Sequence, residues 1–492
     1  MLKGPAKPSF FPLPLAAGLL AAQIIAFFHV RHSNLLTLEQ MRQITAAGYL
    51  PVPFGEAAAK LGHWGSAFWG GLFFTLSIGA GLAIATWATV NAWKNTFGRS
   101  RIFALAAVTA WAALVVWLNL GGFTGPGTLY AVLIPAVTAT AAIRQRARIN
   151  PGLPWLLTPL VVLTGLWYSQ MNSQLFINIR DYLLLSNPAG RMINDFYYNY
   201  TMYPARSFKN FQQQTVRTCY LENSAGGLAG LRRVLVGNDI IPIAGRDAAQ
   251  MLISLPDRQL WLTSPSGARV VVLWQEFIRH PRKFISKFSS AADHLSRFRT
   301  VTFYGLLIGF PVMLYLTVFN TVMRLMHGLA GRSRAQPLAA LFCLLLGCAL
   351  LWPVFTGTRA AGRLDGRQLA SAIAGDNWHL RLAALRQIAD NRLEISSFPR
   401  YRRLCKEGRI VERYWLAKAL GVSRSPATLQ DLYRMLGDPH PNVVCQVLAA
   451  LAERNDKAAL APIMAKLTST GHWYVQYYAY KALRRLGWKQ GE

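Results

Sequence analysis

Two stretches near the C-terminus, "PNVVCQVLAAL" (Pro441–Leu451) and "WYVQYYAYKAL" (Trp473–Leu483), decide how the last quarter of the chain folds. Val443, Val447, Ala450 and Leu451 in the first stand at the same offsets as Val475, Ala479, Ala482 and Leu483 in the second. Offsets of four, seven and eight residues share one helical face. Two earlier stretches repeat the pattern: "NWHLRLAALRQI" with Leu380, Ala384 and Ile388, and "IVERYWLAKAL" with Glu412, Leu416, Ala419 and Leu420. The four first positions, 380, 412, 443 and 475, are spaced by 32, 31 and 32 residues. Another helical stretch precedes each: "GRQLASAI", "SFPRYRRLCKEG", "TLQDLYRMLGD" and "ALAPIMAKLTS". Each unit is expected to be helix, turn, helix, with Asp376 and Asp438 as caps before their second helices. Small residues at the seventh offset let successive pairs stack, as in an α-solenoid.

These residues resemble the short bacterial HEAT-like repeat, the form also found in phycobilisome lyases. That pattern has an Asp in the turn, a Val-Arg pair opening the second helix, and Ala and Leu on its inner face. Asp438 with Val443, Ala450 and Leu451 fits, and Asp376 with Leu380 and Arg381 fits with one residue fewer. The second and fourth units lack the Asp, and Val444 and Gln476 replace the Arg. The resemblance implies a protein-binding solenoid over residues 357–492, and no residue carries a lyase activity over. Within it, Arg381 and Arg413 read either as a basic ladder for a partner or as bridges between repeats. Trp378, Trp415, Trp473, Tyr477 and Tyr480 cannot all face inward in a two-layer stack. They are the candidates for binding a protein partner. In the closing helix, Lys481, Arg484, Arg485 and Lys489 read as the solvated cap of a terminal repeat.

Upstream the composition changes. The chain is 53% hydrophobic and 15% charged, where soluble domains carry about 25% charged residues. Seven apolar runs read as membrane spans: 10–30, 66–93, 102–120, 128–143, 153–170, 301–323 and 337–355. Lys94, Arg99 and Arg101, then Arg144, Arg146 and Arg148, then Arg324, Arg332 and Arg334 fill alternate loops, while "GGFTGPG" has no charge. With Lys3 and Lys7, this places the N-terminus in the cytoplasm of a bacterial inner membrane. Residues 31–65, 171–300 and 357–492 then lie in the periplasm. The span cores hold no Asp, Glu, Lys or Arg, which argues against ion-coupled transport. No histidine pair is placed for a haem, and no cofactor is expected. Gly79, Gly81, Ala83 and Ala85 read as helix packing inside the bundle.

Residues 171–300 read as a small α+β insertion. Phe196, Tyr197, Tyr198, Tyr200 and Tyr203 form an aromatic cluster suited to the bilayer interface, to a partner groove, or to sealing the insertion against the bundle. A basic amphipathic helix is expected over 205–221, strands over "LRRVLVGNDIIPI" and 249–274, and a helix broken at Pro281 leading into the sixth span. Asp195, Asp239, Asp247, Asp257, Glu276 and Asp293 are scattered, His280 lies among Arg and Lys, and no HExxH, GxSxG, CxxC or P-loop pattern occurs. The five cysteines read as small buried hydrophobes. The 52 Lys+Arg against 21 Asp+Glu give +31, and the excess is spread along the chain. Spread charge suits anionic lipid at the basic loops or an acidic protein, and no nucleic acid is expected. The fold class is mainly α: a polytopic helical bundle (1–170 and 301–356), the insertion, and the solenoid. The function that fits is a membrane-anchored scaffold or assembly subunit. The alternatives are a cell-envelope enzyme with its site in 171–300, or a channel or permease component.

Overall fold

The computed structural model describes residues 13–145, 153–222, 229–256, 259–360, 362 and 364–491. Lys3, Lys7, Arg146, Arg148 and Asp257 lie outside the described residues.

Among the described residues, six helices are long and apolar enough to cross a membrane: α1 (Leu13–Ala46), α2 (Trp64–Asn95), α3 (Arg101–Asn119), α4 (Gly125–Arg144), a sixth-span helix (Ser296–Ala330) and a seventh within Arg332–Ala360. The fifth expected span is the shorter apolar helix α5, Leu153–Ser169. Leu15, Ala22, Ala26, Val30, Phe74, Ala83, Tyr130 and Phe319 form the bundle core. Helix α2 and the sixth-span helix each contain one π-helical turn, Thr75–Gly79 and Gly305–Gly309. The two turns pack on each other: a Cβ added to Gly305 would lie 3.0 Å from the Ile78 nitrogen, and one added to Gly309 would lie 2.6 Å from the Cα of Gly81, two residues past the first turn. Gly79, Gly81 and Ala83 thus pack inside the bundle, Gly79 against Ala22, whereas Ala85 is exposed.

At 1.5 Å per residue, the 34 residues of α1 extend about 51 Å, against a hydrocarbon core of about 30 Å. Its last turns stand beyond the bundle as a post for the insertion. Arg206 donates to Thr37 Oγ1 at 2.9 Å and Gln40 Oε1 at 2.6 Å, and Gln40 donates to the Ala248 carbonyl.

The insertion opens with a short helix, Leu175–Ile179, a π turn, Arg180–Leu184, and α6, Pro188–Tyr200. The expected helix over 205–221 is corrected. The chain makes a short helix to Ser207, a 3-10 turn at Phe211–Gln213 capped by Asn210, and strand β1, Arg217–Leu221. "LRRVLVG" is helix α7, Ala229–Gly237, not strand, because Leu231 and Leu235, one turn apart, are both buried on the sheet. Strands β2 (Ile240–Pro242), β3 (Met251–Ser254), β4 (Gln259–Thr263) and β5 (Arg269–Leu273) complete a sheet of order β2-β1-β3-β4-β5. β1 is parallel to β2 and β3, and the rest is antiparallel. Gly267, at φ +91°, closes the β4–β5 turn. Helices α8 (Trp274–Arg279) and α9 (Pro281–Ala291) follow, parted at Pro281 as expected, and lead to α10, Ser296–Ala330, and α11, Arg332–Ala360.

The C-terminal region is four helix pairs: α12 (Gly366–Ala374) with α13 (Trp378–Asp390), α14 (Tyr401–Glu407) with α15 (Ile410–Val422), α16 (Pro426–Met435) with α17 (Pro441–Arg454), and α18 (Leu460–Ser469) with α19 (Trp473–Arg485). One continuous core joins all four. The caps differ from expectation. Asn377, His440 and His472 cap α13, α17 and α19 with their side chains. Asp376 instead pairs with Arg403, and Asp438 with Arg413.

Candidate functional site: the inner face of the solenoid

The second helices of the four pairs present one face, and the residues singled out from sequence lie on it or beside it. Arg381 and Arg413 each link one repeat to the next. Arg381 bonds Glu412 and donates to the Gly375 carbonyl at 2.7 Å. Arg413 repeats this one unit on, with Asp438 at 2.6 Å and the Gly408 carbonyl at 2.6 Å. Both guanidiniums are largely buried, so neither stands as a free ladder. Gln476, which replaces the Arg in the last unit, keeps the turn contact, donating to the Thr470 carbonyl at 2.8 Å. Its amide also pairs with the backbone of Phe54 in the segment after α1.

The aromatic candidates meet the chain's own insertion. Trp415 is buried, and its Nε1 donates to Asp181 Oδ2 at 2.7 Å. Asp181 has no exposed surface and pairs with Arg180 at 2.7 Å and Arg386 at 3.4 Å. Trp378 lies against Tyr182, with Arg409 over its ring. Trp473 donates to the Tyr198 carbonyl, and Tyr198 packs on Tyr474 with centroids 4.4 Å apart. Tyr480 is buried and bonds Asp239, while Tyr477 lies under Lys209 at 3.7 Å. The expected solvated cap is therefore revised. Tyr480 joins a core with Met41, Ile44, Ile241 and Ala248, so α1 and the sheet cover the terminal repeat, and Arg484 pairs with Asp239 at 2.9 Å. Lys481 and Arg485 remain exposed.

The 196–203 cluster is the wedge between bundle and solenoid. Phe196 and Tyr200 pack on Trp69, Tyr197 on Phe73, and the Tyr203 hydroxyl lies 2.9 Å from His29 Nε2. Tyr198 alone turns to the solenoid. Beside it, Asn194 and Asn442 form a buried amide pair at 3.3 Å, and His440 Nε2 lies 3.8 Å from Asp195. The Nδ1 atoms of His440 and His472 accept backbone N–H groups, which requires neutral rings. Burial holds both below the usual histidine range, His472 at about 4, where Lys60 adds to the effect.

Residues missed from sequence are Asn178, Asp181, Arg386, Asn194, Asn442 and Gln490. Each is a single polar side chain, and its partner lies 200 or more residues away for Asn178–Arg386 and Asp181–Trp415, so no local spacing marks it. The acidic candidates do not converge. Asp239 serves Tyr480 and Arg484, Asp293 pairs with Arg299, and Asp195 faces His440. Among the described residues, no three His, Cys, Asp or Glu side chains gather to hold a metal. Cys219, Cys343 and Cys445 are buried thiols, Cys405 is partly buried and Cys348 is exposed.

Residues 404–484 match the family model of HEAT repeats. No curated protein and no solved structure matches the chain. The match spans the last three helix pairs, and the first pair joins the same core. The C-terminal region is thus a HEAT-like solenoid, an architecture that commonly mediates protein–protein contact. In this chain the face of the second helices is occupied by the insertion and by the segment after α1.

Proposed function

We propose that the protein is a membrane-anchored scaffold or assembly subunit. Its HEAT-like solenoid holds a protein partner outside the cytoplasmic membrane, in the bacterial periplasm. The observation that carries this reading is which solenoid surface stays open. The second helices lie on the insertion, while the first helices expose Arg402, Arg403 and Lys406 on α14, and Gln430 and Arg434 on α16. Arg402 and Arg434 share Asp431, and Arg403 meets Asp376 and Glu407, which leaves Lys406 as the excess cation of this set. An acidic partner surface suits the remaining excess.

Membrane anchoring rests on the apolar helices, and sidedness on their ends. The segment after α1, the insertion and the solenoid meet at one end of the bundle, where Leu50 bonds Gln490 at 3.0 Å and Arg297 donates to the Trp117 carbonyl at 3.0 Å. Lys94 reaches the Ala142 carbonyl at the opposite end. An odd number of crossings, with 153–169 as the fifth, accounts for this gathering and for the positive-inside loops. The units are then 1–170 and 301–356 in the membrane, with 171–300 and 357–492 outside it, and anionic lipid faces the basic loops.

Photo-crosslinking residues placed at Arg403 and Gln430 in the full chain, in native membranes, test the reading. A discrete protein adduct from both positions, absent from a matching position at Lys481, is expected. No adduct at either position would overturn the scaffold reading.

A further inference from the structure

The "IRHPRK" stretch finds no role in the solenoid or its docking face. In the structure it lines an open cavity of about 500 Å³, walled by Arg279, His280, Arg282 and Lys283 on one side and by Val234, Gly237 and Asn238 on the other. Arg279 ends α8, and Arg282 and Lys283 stand in the first turn of α9, so the break at Pro281 turns three cations toward one space. Among the described residues, the ion pairs of this region join Arg246 to Glu222, Arg299 to Asp293 and Arg484 to Asp239. Arg279, Arg282 and Lys283 take part in none of them. The opposite wall offers no carboxylate in compensation. Its Gly237 and Asn238 carbonyls accept from Arg484 and Arg217, and its Val234 carbonyl accepts from the Asn238 side chain.

Three cations around one cavity, with no carboxylate among its walls, repel one another, and an anion entering between them relieves that repulsion. Two guanidiniums and an ammonium supply planar forks and a point charge, the donor set that phosphate oxygens take. We propose that this cavity is a binding site for a phosphate-bearing ligand, either a free phosphate compound or a phospholipid headgroup. Either source presents the same oxygens to Arg279, Arg282 and Lys283. No solenoid residue lines the cavity, so ligand occupancy is tested independently of the scaffold reading.

The test is calorimetric titration of the full chain in phosphatidylcholine nanodiscs, first with inorganic pyrophosphate, then with soluble dihexanoyl phosphatidic acid. Saturable one-site binding of at least one probe is expected, weakened at least about tenfold in Arg282→Gln/Lys283→Gln. It should be unchanged in Lys481→Gln/Arg485→Gln, which removes two exposed cations elsewhere. Both pairs are exposed, so an unchanged thermal midpoint verifies the fold of each variant. Tighter pyrophosphate binding assigns the site to free phosphates, and tighter lipid binding assigns it to headgroups. Absence of saturable binding by both probes, or equal weakening by both double variants, would show diffuse charge attraction only and overturn the proposal.

Discussion

Asp181 is a single carboxylate on which two otherwise distant parts of the chain converge. It has no exposed surface, and it answers Arg180 in its own segment while holding Arg386 and the Trp415 indole of the solenoid. Replacing one partner of a buried ion pair leaves the other charge uncompensated, at a loss of about 3–5 kcal/mol. Asp181→Asn should therefore lower the stability of the purified full chain by that order in denaturant titration. A change under about 1 kcal/mol would mean that the carboxylate is not the link. The two capping histidines give a pH signature. Their folded-state pKa values lie below the unfolded value of 6.5, so the unfolded chain takes up protons first as pH falls. Their contribution is full above pH 6.5 and is lost progressively as pH falls, for His472 toward about 4. Asparagine also caps helices, so His440→Asn/His472→Asn should flatten the fall of thermal midpoint across that window. An unchanged pH profile in the double variant would contradict neutral capping rings.

At the scale of elements, the repeats are legible because a solenoid buries the same offsets in every unit, and a period of about 32 residues survives in one sequence. Residues 205–221 mislead for the opposite reason. Phe208, Phe211, Val216 and Tyr220 are spaced much as on a helix, but the segment is shaped by distant partners: Arg206 is drawn to Thr37 and Gln40, and β1 pairs with β2 and β3. Asp376 and Asp438 stand where caps belong by position, while Asn377 and His440, one and two residues on, do the capping. The π turns of α2 and α10 leave only a glycine-rich trace, since a π turn depends on which helix it meets. That meeting makes a further prediction. Gly309→Leu sets side-chain atoms against the backbone of Gly81, so the variant should lose its monodisperse size-exclusion peak. Gly165→Leu, where a Cβ meets nothing within 4 Å, should keep it. Equal behaviour of the two would contradict the glycine contact.

At the scale of the whole molecule, bundle, insertion and solenoid share buried interfaces instead of hanging from linkers. The aromatic face of the solenoid is occupied from within the chain, by Tyr182, Tyr198, Asp181 and Asp239 of the insertion and by Phe54 after α1. Trp415 and Tyr480 bond Asp181 and Asp239 of the insertion, so residues 357–492 expressed alone lose part of this cover and should self-associate, as light scattering would register. The most direct measurement uses the full chain in membranes, with a protease site inserted after Gly362 and cut in place. Buried contacts are screened little by salt, so the severed solenoid should stay with the membrane through washes in about 1 M salt. It should be released when Trp415→Ala and Tyr480→Ala are combined. Release of the wild-type solenoid on cleavage alone would contradict internal docking.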